Sequence, residues 1–432
     1  MTWLVCGLLI LMLWWASIAQ GGRDKCDQWS RAQWIIFFCL FAVALTIRNP
    51  WAALCVGMVA AGMLTVVPPS DVWMRAGYPA LAAAGAYAAL TPHVTPAMVE
   101  PVLWAFVVVG CWMGFWTDYS RQQGFTPYMH HWPAPKKGKW WFGICLHEDS
   151  PTHLKAGQGN ANHLQSAAAL SVAAMIGLCL LGKWWVLLAW PLVLQPFIRR
   201  VTLGFRFGQG HLHLLTLFIS ALGTASQSGV IFSMLLVGYG TILVMVGRPW
   251  NPRVGWIDGS RIPMWKAVLE EWWTKSSWRQ RTFGLGTGTW QPYTAPITMP
   301  RFGQVIFTAA HNEWVQQLVE HGIVGLAFLL LYVSDVAVRL WHGGSVGHAM
   351  LLMALTMCSI ATVNFPWTFF HEIPCPPKCK HCGKLGPNMI TAKPNAVCRC
   401  PNPVPVASQP YYVGSPALVG MSLVLAILVE AF

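Results

Sequence analysis

Runs of about 16 to 20 apolar residues recur along the chain, each about as long as a helix that crosses the hydrocarbon core of a bilayer. Of its 432 residues, 55% are hydrophobic and only 10% are charged, which is far more apolar than a soluble protein. Backbone polar groups in lipid must be paired within their own segment, so the spans are predicted to be helices. We therefore predict an all-α polytopic membrane protein that forms one membrane domain over residues 1–432.

The apolar runs predict about twelve transmembrane spans. The segments 211–226 and 228–246 could instead form one broken hairpin. The spans are expected near residues 3–20, 32–47, 51–67, 76–91, 99–116, 164–181, 184–198, 211–226, 228–246, 322–341, 346–363 and 413–430.

Three segments between the spans are too long to be simple connectors, namely 117–163, 247–321 and 364–412. If the spans alternate regularly, all three emerge on one side of the membrane, together with the basic segment 199–210. The polar mass of the chain then lies on one face. We expect the protein to work at that face, with 247–321 as a large extramembrane loop between the ninth and tenth spans.

The net charge of +13 is concentrated between the spans and suggests contact with anionic lipid headgroups or phosphorylated substrates. The chain has no soluble basic domain to hold nucleic acid, so nucleic acid is not expected as a partner. Of 28 Lys and Arg, this topology leaves only Arg48, Lys183 and Arg339 on the face opposite the long loops. The positive-inside rule would place the long-loop face in the cytoplasm.

The loop 247–321 begins with two informative pieces. "GSRIPMWKAVLEEWW" predicts an amphipathic helix at the membrane interface, and "FGLGTGTW" predicts a turn in which Gly286 allows a ligand to approach the backbone closely. Glycine-rich loops are common beside membranes, so this turn alone indicates little. The residues of the helix that we expect to face lipid are Trp265, Leu269, Trp272 and Trp273.

The third piece, "AHNEWVQQLVEHGIVGL", predicts a short helix directly before a span. Asn312 is a good N-cap, and Gly322 is expected to end the helix. His311 precedes the cap, at the helix end that favours anions, where a neutral imidazole could accept a proton from a sugar hydroxyl. The alternative is an ordinary interfacial histidine that is hydrogen-bonded to backbone.

These pieces, "GSRxxxW", "GLGTGTW" and "AHNEWVQQLVEHGIVGL" in this order before a span, resemble the signature of the O-antigen ligase and O-antigen polymerase family. Further upstream, "GQGNANHLQ" is similar to the Gly-Asn-x-Asn motif with which the family opens a span. The resemblance covers roughly residues 155–370 and 413–430 and is most specific around His311.

The resemblance implies a glycosyltransferase of GT-C-like fold that moves a glycan from undecaprenyl pyrophosphate to a sugar hydroxyl. The acceptor would be lipid A–core for a ligase or the growing polysaccharide for a polymerase. Membrane lipids would be further partners. The resemblance implies no cofactor for catalysis. The resemblance also implies that the protein lies in the bacterial inner membrane with a periplasmic active face. The distribution of Lys and Arg favours the opposite orientation. A polytopic transporter or flippase is the alternative from another class.

Site residues follow from the same resemblance. Arg261 matches the family's loop arginine, which would clamp the pyrophosphate. His311 matches the histidine that would act as general base. Glu320 matches the glutamate that precedes Gly-Ile-Val-Gly. The family's Ser-Arg-Gly turn is absent, and Arg206 is the preferred substitute. The expected substrate-binding residues are Arg199, Arg200, Asn312, Gly286 and Asn162.

A cysteine-rich stretch, residues 371–412, interrupts the family-like sequence and is predicted to be an insertion. Cys379-x2-Cys382 and Cys398-x-Cys400 have the spacing of a four-cysteine zinc ribbon, so these four side chains are the expected ligands of a structural zinc ion. An odd fifth cysteine, Cys375, fits zinc better than complete disulfide pairing. A disulfide-bonded loop remains the alternative, and would suit an oxidising periplasm.

Overall fold

The structure is a computed structural model of the chain. It describes residues 2–18, 49–55, 58, 85–123, 125–128, 139–141, 144–148, 161–202, 209–226, 228, 261–286, 289–290, 293–294, 296–297, 310–363, 372–374, 378–379, 405–406, 410–412 and 416–432. The span expected at 32–47 lies outside these residues, as does that at 228–246 except for its first residue, and those at 51–67 and 76–91 lie within them only in part.

Helices dominate the described part of the chain. The α-helices are Thr2–Ile18, Val99–Gln123, Ala161–Leu180, Trp190–Val193, Gln195–Thr202, Gln209–Ala225, Arg261–Lys275, Trp278–Phe283, Glu313–His342, Gly344–Val363 and Pro416–Leu428. Short 3-10 helices cover Thr91–His93, Pro96–Met98, Trp184–Ala189 and Val429–Ala431. Residues 50–55 and 85–90 are also helical.

Among the described residues, three helices are long and apolar enough to cross a membrane: Pro96–Thr117, Glu313–His342 and Gly344–Thr362. Five shorter apolar helical segments accompany them. The helical membrane-protein class expected from the sequence is therefore confirmed in this coarse form. Small strands, which the all-α prediction does not include, lie between the helices.

The core is a bundle around the Ala161–Leu180 helix. This helix packs between Val99–Gln123 on one side and Gly344–Val363 on the other, while Gln209–Ala225 contacts it together with Gly344–Val363. Thr2–Ile18 closes the bundle against Val99–Gln123 and Pro416–Leu428. Alanines and other small residues along the central helix are buried, which lets the neighbouring backbones approach closely.

The segment expected to span the membrane at 184–198 is apolar and helical, but it is not one continuous α-helix. The structure divides this segment into the 3-10 helix Trp184–Ala189 and the short α-helices Trp190–Val193 and Gln195–Thr202. Pro191 and Pro196 explain the division, because a proline removes a backbone donor and clashes with the preceding turn.

The segments between helices contain three small antiparallel sheets. Phe125–Tyr128, Lys139–Trp141 and Ile144–Glu148 form one of them within 117–163, in the order first, third, second. In the predicted insertion, Glu372 pairs with Tyr412 and Cys379 pairs with Pro405, so the two ends of the segment run side by side. Of the four expected zinc ligands, only the backbone of Cys379 is described.

Candidate functional site

The helix that follows His311 begins and ends as the sequence predicts. Asn312 is its N-cap, and the side-chain Oδ1 accepts a hydrogen bond of 3.1 Å from the backbone N–H of Val315. Gly322 has φ 70° and ψ −171°, which breaks the Glu313–His342 helix into two parts. Residues 313–321 therefore form a short helix, here called the cap helix, and residues 323–342 form the span that follows.

His311 has an unusual backbone conformation. Its φ of 54° lies in the left-handed region, and it is the one described residue other than glycine with a positive φ. Such a conformation costs about 1–3 kcal/mol and is found preferentially at functional sites. His311 is only partly buried, so the turn presents this histidine beside the N-terminus of the cap helix.

The helix Arg261–Lys275 packs on this turn. The indole Nε1 of Trp265 donates a hydrogen bond to the carbonyl of Ala310, the residue before His311. Arg261, whose side chain the structure does not describe, lies one helical turn before Trp265. The two residues expected to act as pyrophosphate clamp and base are thus carried by elements that touch each other.

These elements share a small hydrophobic core of their own, which we call the loop core. Trp272 and Val319 are buried in it, and Trp265 and Leu269 pack against it; the other buried members are Met264, Ala267, Val268, Trp290, Ile297 and Ala310. The expectation that Trp265, Leu269 and Trp272 face lipid is wrong, and only Trp273 is exposed. Burial raises the pKa of Tyr293, which packs against the same core.

The glycine-rich turn is fastened to the end of the cap helix. The backbone N–H of Leu285 donates to the carbonyl of Val319 at 3.0 Å, and that of Gly286 donates to the carbonyl of Glu320 at 2.9 Å. Gly286 is buried, with φ 106°. Its N–H therefore serves the fold in this structure and is not directed at a ligand.

The side chain of Glu320 is a second link between the cap helix and the glycine-rich turn. It is almost fully buried, and its Oε1 accepts hydrogen bonds from the backbone N–H of Trp290 at 3.1 Å and from Nε2 of Gln316 at 3.4 Å. This geometry suits a carboxylate that holds the turn in place. Its expected catalytic role stays a prediction.

Two hydrogen bonds join helices at the end of the bundle that carries the cap helix. Nε2 of Gln165 donates to the carbonyl of Pro196 at 3.5 Å, which joins the start of Ala161–Leu180, where Asn162 lies, to the helix Gln195–Thr202. The Trp314 indole donates to Oγ1 of Thr362 at 2.9 Å, which joins the cap helix to the end of Gly344–Val363. The helix ends therefore meet on one face.

No protein-family model matches this chain. No curated protein matches it either. The resemblance to O-antigen ligases and polymerases thus rests on the short motifs alone, and the function that follows from it is a proposal.

A buried polar centre that was not predicted from the sequence surrounds His213. Its Nε2 lies 3.2 Å from Oγ of Ser166 and its Nδ1 lies 3.0 Å from Oγ of Ser359, which also contacts Oγ1 of Thr216 at 3.0 Å. These contacts link three helices inside the bundle, close to the end that carries the cap helix. The available signal was the pair His211 and His213 at the start of an apolar run, because ionisable residues are rare within spans.

Several expected site residues are only partly placed. The structure describes the backbones of Asn162, Arg199, Arg200 and Arg261 but not their side chains, and Arg206 lies outside the described residues. Cys382, Cys398 and Cys400 also lie outside them, so the zinc prediction stays a prediction. The thiols of the five described cysteines in the helices are free: Cys6, Cys55, Cys111, Cys179 and Cys358.

Proposed function

We propose that this chain is a membrane-embedded glycosyltransferase that moves a glycan from undecaprenyl pyrophosphate to a sugar hydroxyl. The observation that carries the proposal is the hydrogen bond from Trp265 to Ala310, which joins the helix that begins at Arg261 to the turn that holds His311. About twelve spans, a GT-C-like arrangement and the bacterial inner membrane are finer parts of the same proposal.

The chemistry needs one base and several cations. The acceptor hydroxyl oxygen attacks the anomeric carbon of the donor sugar, and the bond from that carbon to the pyrophosphate oxygen breaks. Undecaprenyl pyrophosphate leaves with the bonding electron pair, and His311 takes the hydroxyl proton. Arg261 stabilises the charge that develops on the leaving group, assisted by the basic segment that contains Arg199, Arg200 and Arg206.

The acceptor is lipid A–core if the enzyme is a ligase and the growing polysaccharide if it is a polymerase. The active face is proposed to be periplasmic on the basis of the family resemblance. Its excess of Lys and Arg is then explained by the substrate, because the cations that bind a pyrophosphate have to lie on the catalytic face. A structural zinc ion held by Cys379, Cys382, Cys398 and Cys400 is part of the proposal, with no role in the transfer. Metal analysis of the purified protein tests it, since a metal-free and fully folded protein would reject the zinc.

The test of the function is glycan transfer by the full chain in vesicles that contain the lipid-linked donor. His311→Ala and Arg261→Ala should lose transfer and keep normal insertion in the membrane. The matched controls are His93→Ala, at an exposed histidine, and Lys266→Ala, at an exposed cation of the Arg261 helix. Normal transfer by either site variant would reject the assigned roles.

One observation favours a second candidate function, a transporter or flippase. Asp335, Arg339 and Glu430 form a charged cluster between the span 323–342 and the 3-10 helix Val429–Ala431. Charges within the helices of a membrane protein are typical of transporters. If this candidate is correct, lipid-linked glycan crosses the vesicle membrane without any acceptor, and His311→Ala leaves that movement unchanged.

A further inference from the structure

Large aromatic side chains are exposed in a short stretch of the 247–321 loop. Trp273 is 53% exposed, Trp278 is 67% exposed and Phe283 is 53% exposed. Two arginines of the same stretch lie over the indole rings: Cζ of Arg281 is 5.3 Å from the ring centroid of Trp273, and Cζ of Arg279 is 5.6 Å from that of Trp278. We call these five residues the aromatic face.

The aromatic face points away from the loop core. Met264, Val268 and Trp272 occupy the buried side of the Arg261–Lys275 helix, and Trp272 is only 2% exposed. Trp273 follows Trp272 by about 100° around the helix, away from the loop core, and is half exposed, with Arg281 over its ring. Exposed tryptophans in contact with cations are more typical of a membrane interface than of a surface in water.

The short helix Trp278–Phe283 packs beside Gly322, directly before the span 323–342. The aromatic face is therefore near the point where this span would enter the membrane. The carbonyl of Thr282 lies directly against Gly322, so that a side chain added there would collide with it. The next residue, Ile323, is exposed, as are Leu330 and Leu331 further along the span. The aromatic face therefore lies at headgroup depth, beside the lipid-facing surface of residues 323–342.

The charge of the face is complementary to phosphate. Lys266 pairs with Glu270, and Lys275 pairs with Glu271, within the Arg261–Lys275 helix. Among the described residues, neither Arg279 nor Arg281 has a carboxylate within ion-pair distance. The Arg281 Nε donates to the carbonyl of Ser276 at 3.0 Å, which fixes its position and leaves the terminal amino groups for an anion.

We propose that the aromatic face docks into the headgroup layer of anionic phospholipids beside the span 323–342. The rings enter the interface, and Arg279 and Arg281 bind lipid phosphates. The docking itself does not require any enzymatic activity. Its consequence for the transferase, which rests on the proposed function, is that the His311 turn is held at the depth of a lipid-linked pyrophosphate.

Photo-crosslinking of the full chain tests the docking. Trp278 is replaced by p-benzoylphenylalanine, and the protein is placed in vesicles of phosphatidylcholine and phosphatidylglycerol. Irradiation should link position 278 to phospholipid, with phosphatidylglycerol enriched above its share of the vesicle. In the control, Leu330 is replaced by p-benzoylphenylalanine. This position should link to lipid chains with no enrichment of phosphatidylglycerol. Mass spectrometry of the adducts gives both results without any measurement of transfer.

The arginines are tested by the variant with Arg279→Gln and Arg281→Gln. Each cation near a membrane surface contributes about fivefold to the preference for an anionic headgroup, so most of the enrichment at position 278 should disappear. Lys183→Gln, at the opposite end of the bundle, is the control that should retain it. A link from position 278 to a second copy of the chain would overturn the proposal. So would the absence of a lipid adduct at 278 when one forms at 330, or equal enrichment with and without the arginines.

Discussion

Gly284 and Gly322 meet with their backbones in direct contact. A side chain added at Gly284 would strike the carbonyl of Glu320, and one added at Gly322 would strike the carbonyl of Thr282. Both glycines also have a positive φ, 83° and 70° respectively. The glycine-rich turn and the end of the cap helix therefore fit together only because both positions lack a side chain.

Gly322→Ala should destabilise the protein more than Gly182→Ala. Gly182 also has a positive φ, of 80°, but its position has open space for a side chain. The control therefore carries only the conformational cost, roughly 1 kcal/mol, while Gly322→Ala adds the collision with Thr282. Thermal unfolding in detergent measures the difference. If both variants lose the same stability, the close contact between Gly322 and Thr282 does not contribute to the stability of the fold.

Glu320→Gln separates a holding role from a catalytic one. Glutamine retains an oxygen that accepts the hydrogen bond of the Trp290 backbone, so the variant should keep most of its stability and transfer. Glu320→Ala leaves that buried N–H without its acceptor and should cost about 1–3 kcal/mol. The two variants are compared by thermal unfolding and by the transfer rate. A stable Glu320→Gln protein with no transfer would instead indicate a catalytic carboxylate.

His213 and Ser359 should be coupled energetically. Hydrogen bonds between spans are worth roughly 0.6 kcal/mol on average and up to about 1.7, and His213 contacts two other helices through its two ring nitrogens. A double-mutant cycle with His213→Ala and Ser359→Ala measures the coupling. We expect between about 0.5 and 2 kcal/mol. His348→Ala, at a histidine that contacts the carbonyl of Trp341, is the control and should show none with Ser359→Ala.

Arg339 and Glu430 should tolerate joint replacement better than single replacement. The Glu430 side chain is only 8% exposed and receives both terminal amino groups of Arg339, at 3.2 and 3.3 Å. Arg339→Met leaves a buried carboxylate without its partner, which costs about 3 kcal/mol, and adding Glu430→Leu should recover part of this loss. Folded yield and thermal unfolding give the measurement.

The half-exposed pair Lys183–Glu100 is the matched control for that experiment. Lys183→Met should change stability by less than about 1 kcal/mol, because water screens an exposed pair. Asp335 also contacts Arg339, at 3.0 Å, so Arg339→Met leaves two carboxylates without their cation; a small effect would mean that the Asn49 amide, which donates to Asp335 and Glu430, is enough to hold the cluster together.

Local rules predicted local features correctly. Asn312 caps its helix and Gly322 ends it, because both depend on backbone geometry within a few residues. The lipid-facing expectation for Trp265 and Trp272 was wrong, because helical periodicity identifies an apolar side but not the medium that covers it. The two prolines within 184–198 are a sequence signal for the division of that segment, because a proline interrupts the backbone hydrogen bonds of a helix.

The sequence by itself determined that this protein is a helical membrane protein, since long apolar runs in lipid must pair their own backbone groups. It also determined where the cap helix starts and stops. Only the tertiary structure decided which side of each helix is buried and which helix ends meet. Those relationships depend on contacts between distant residues, such as Trp265 with Ala310 and His213 with Ser359, and no local pattern encodes such pairs.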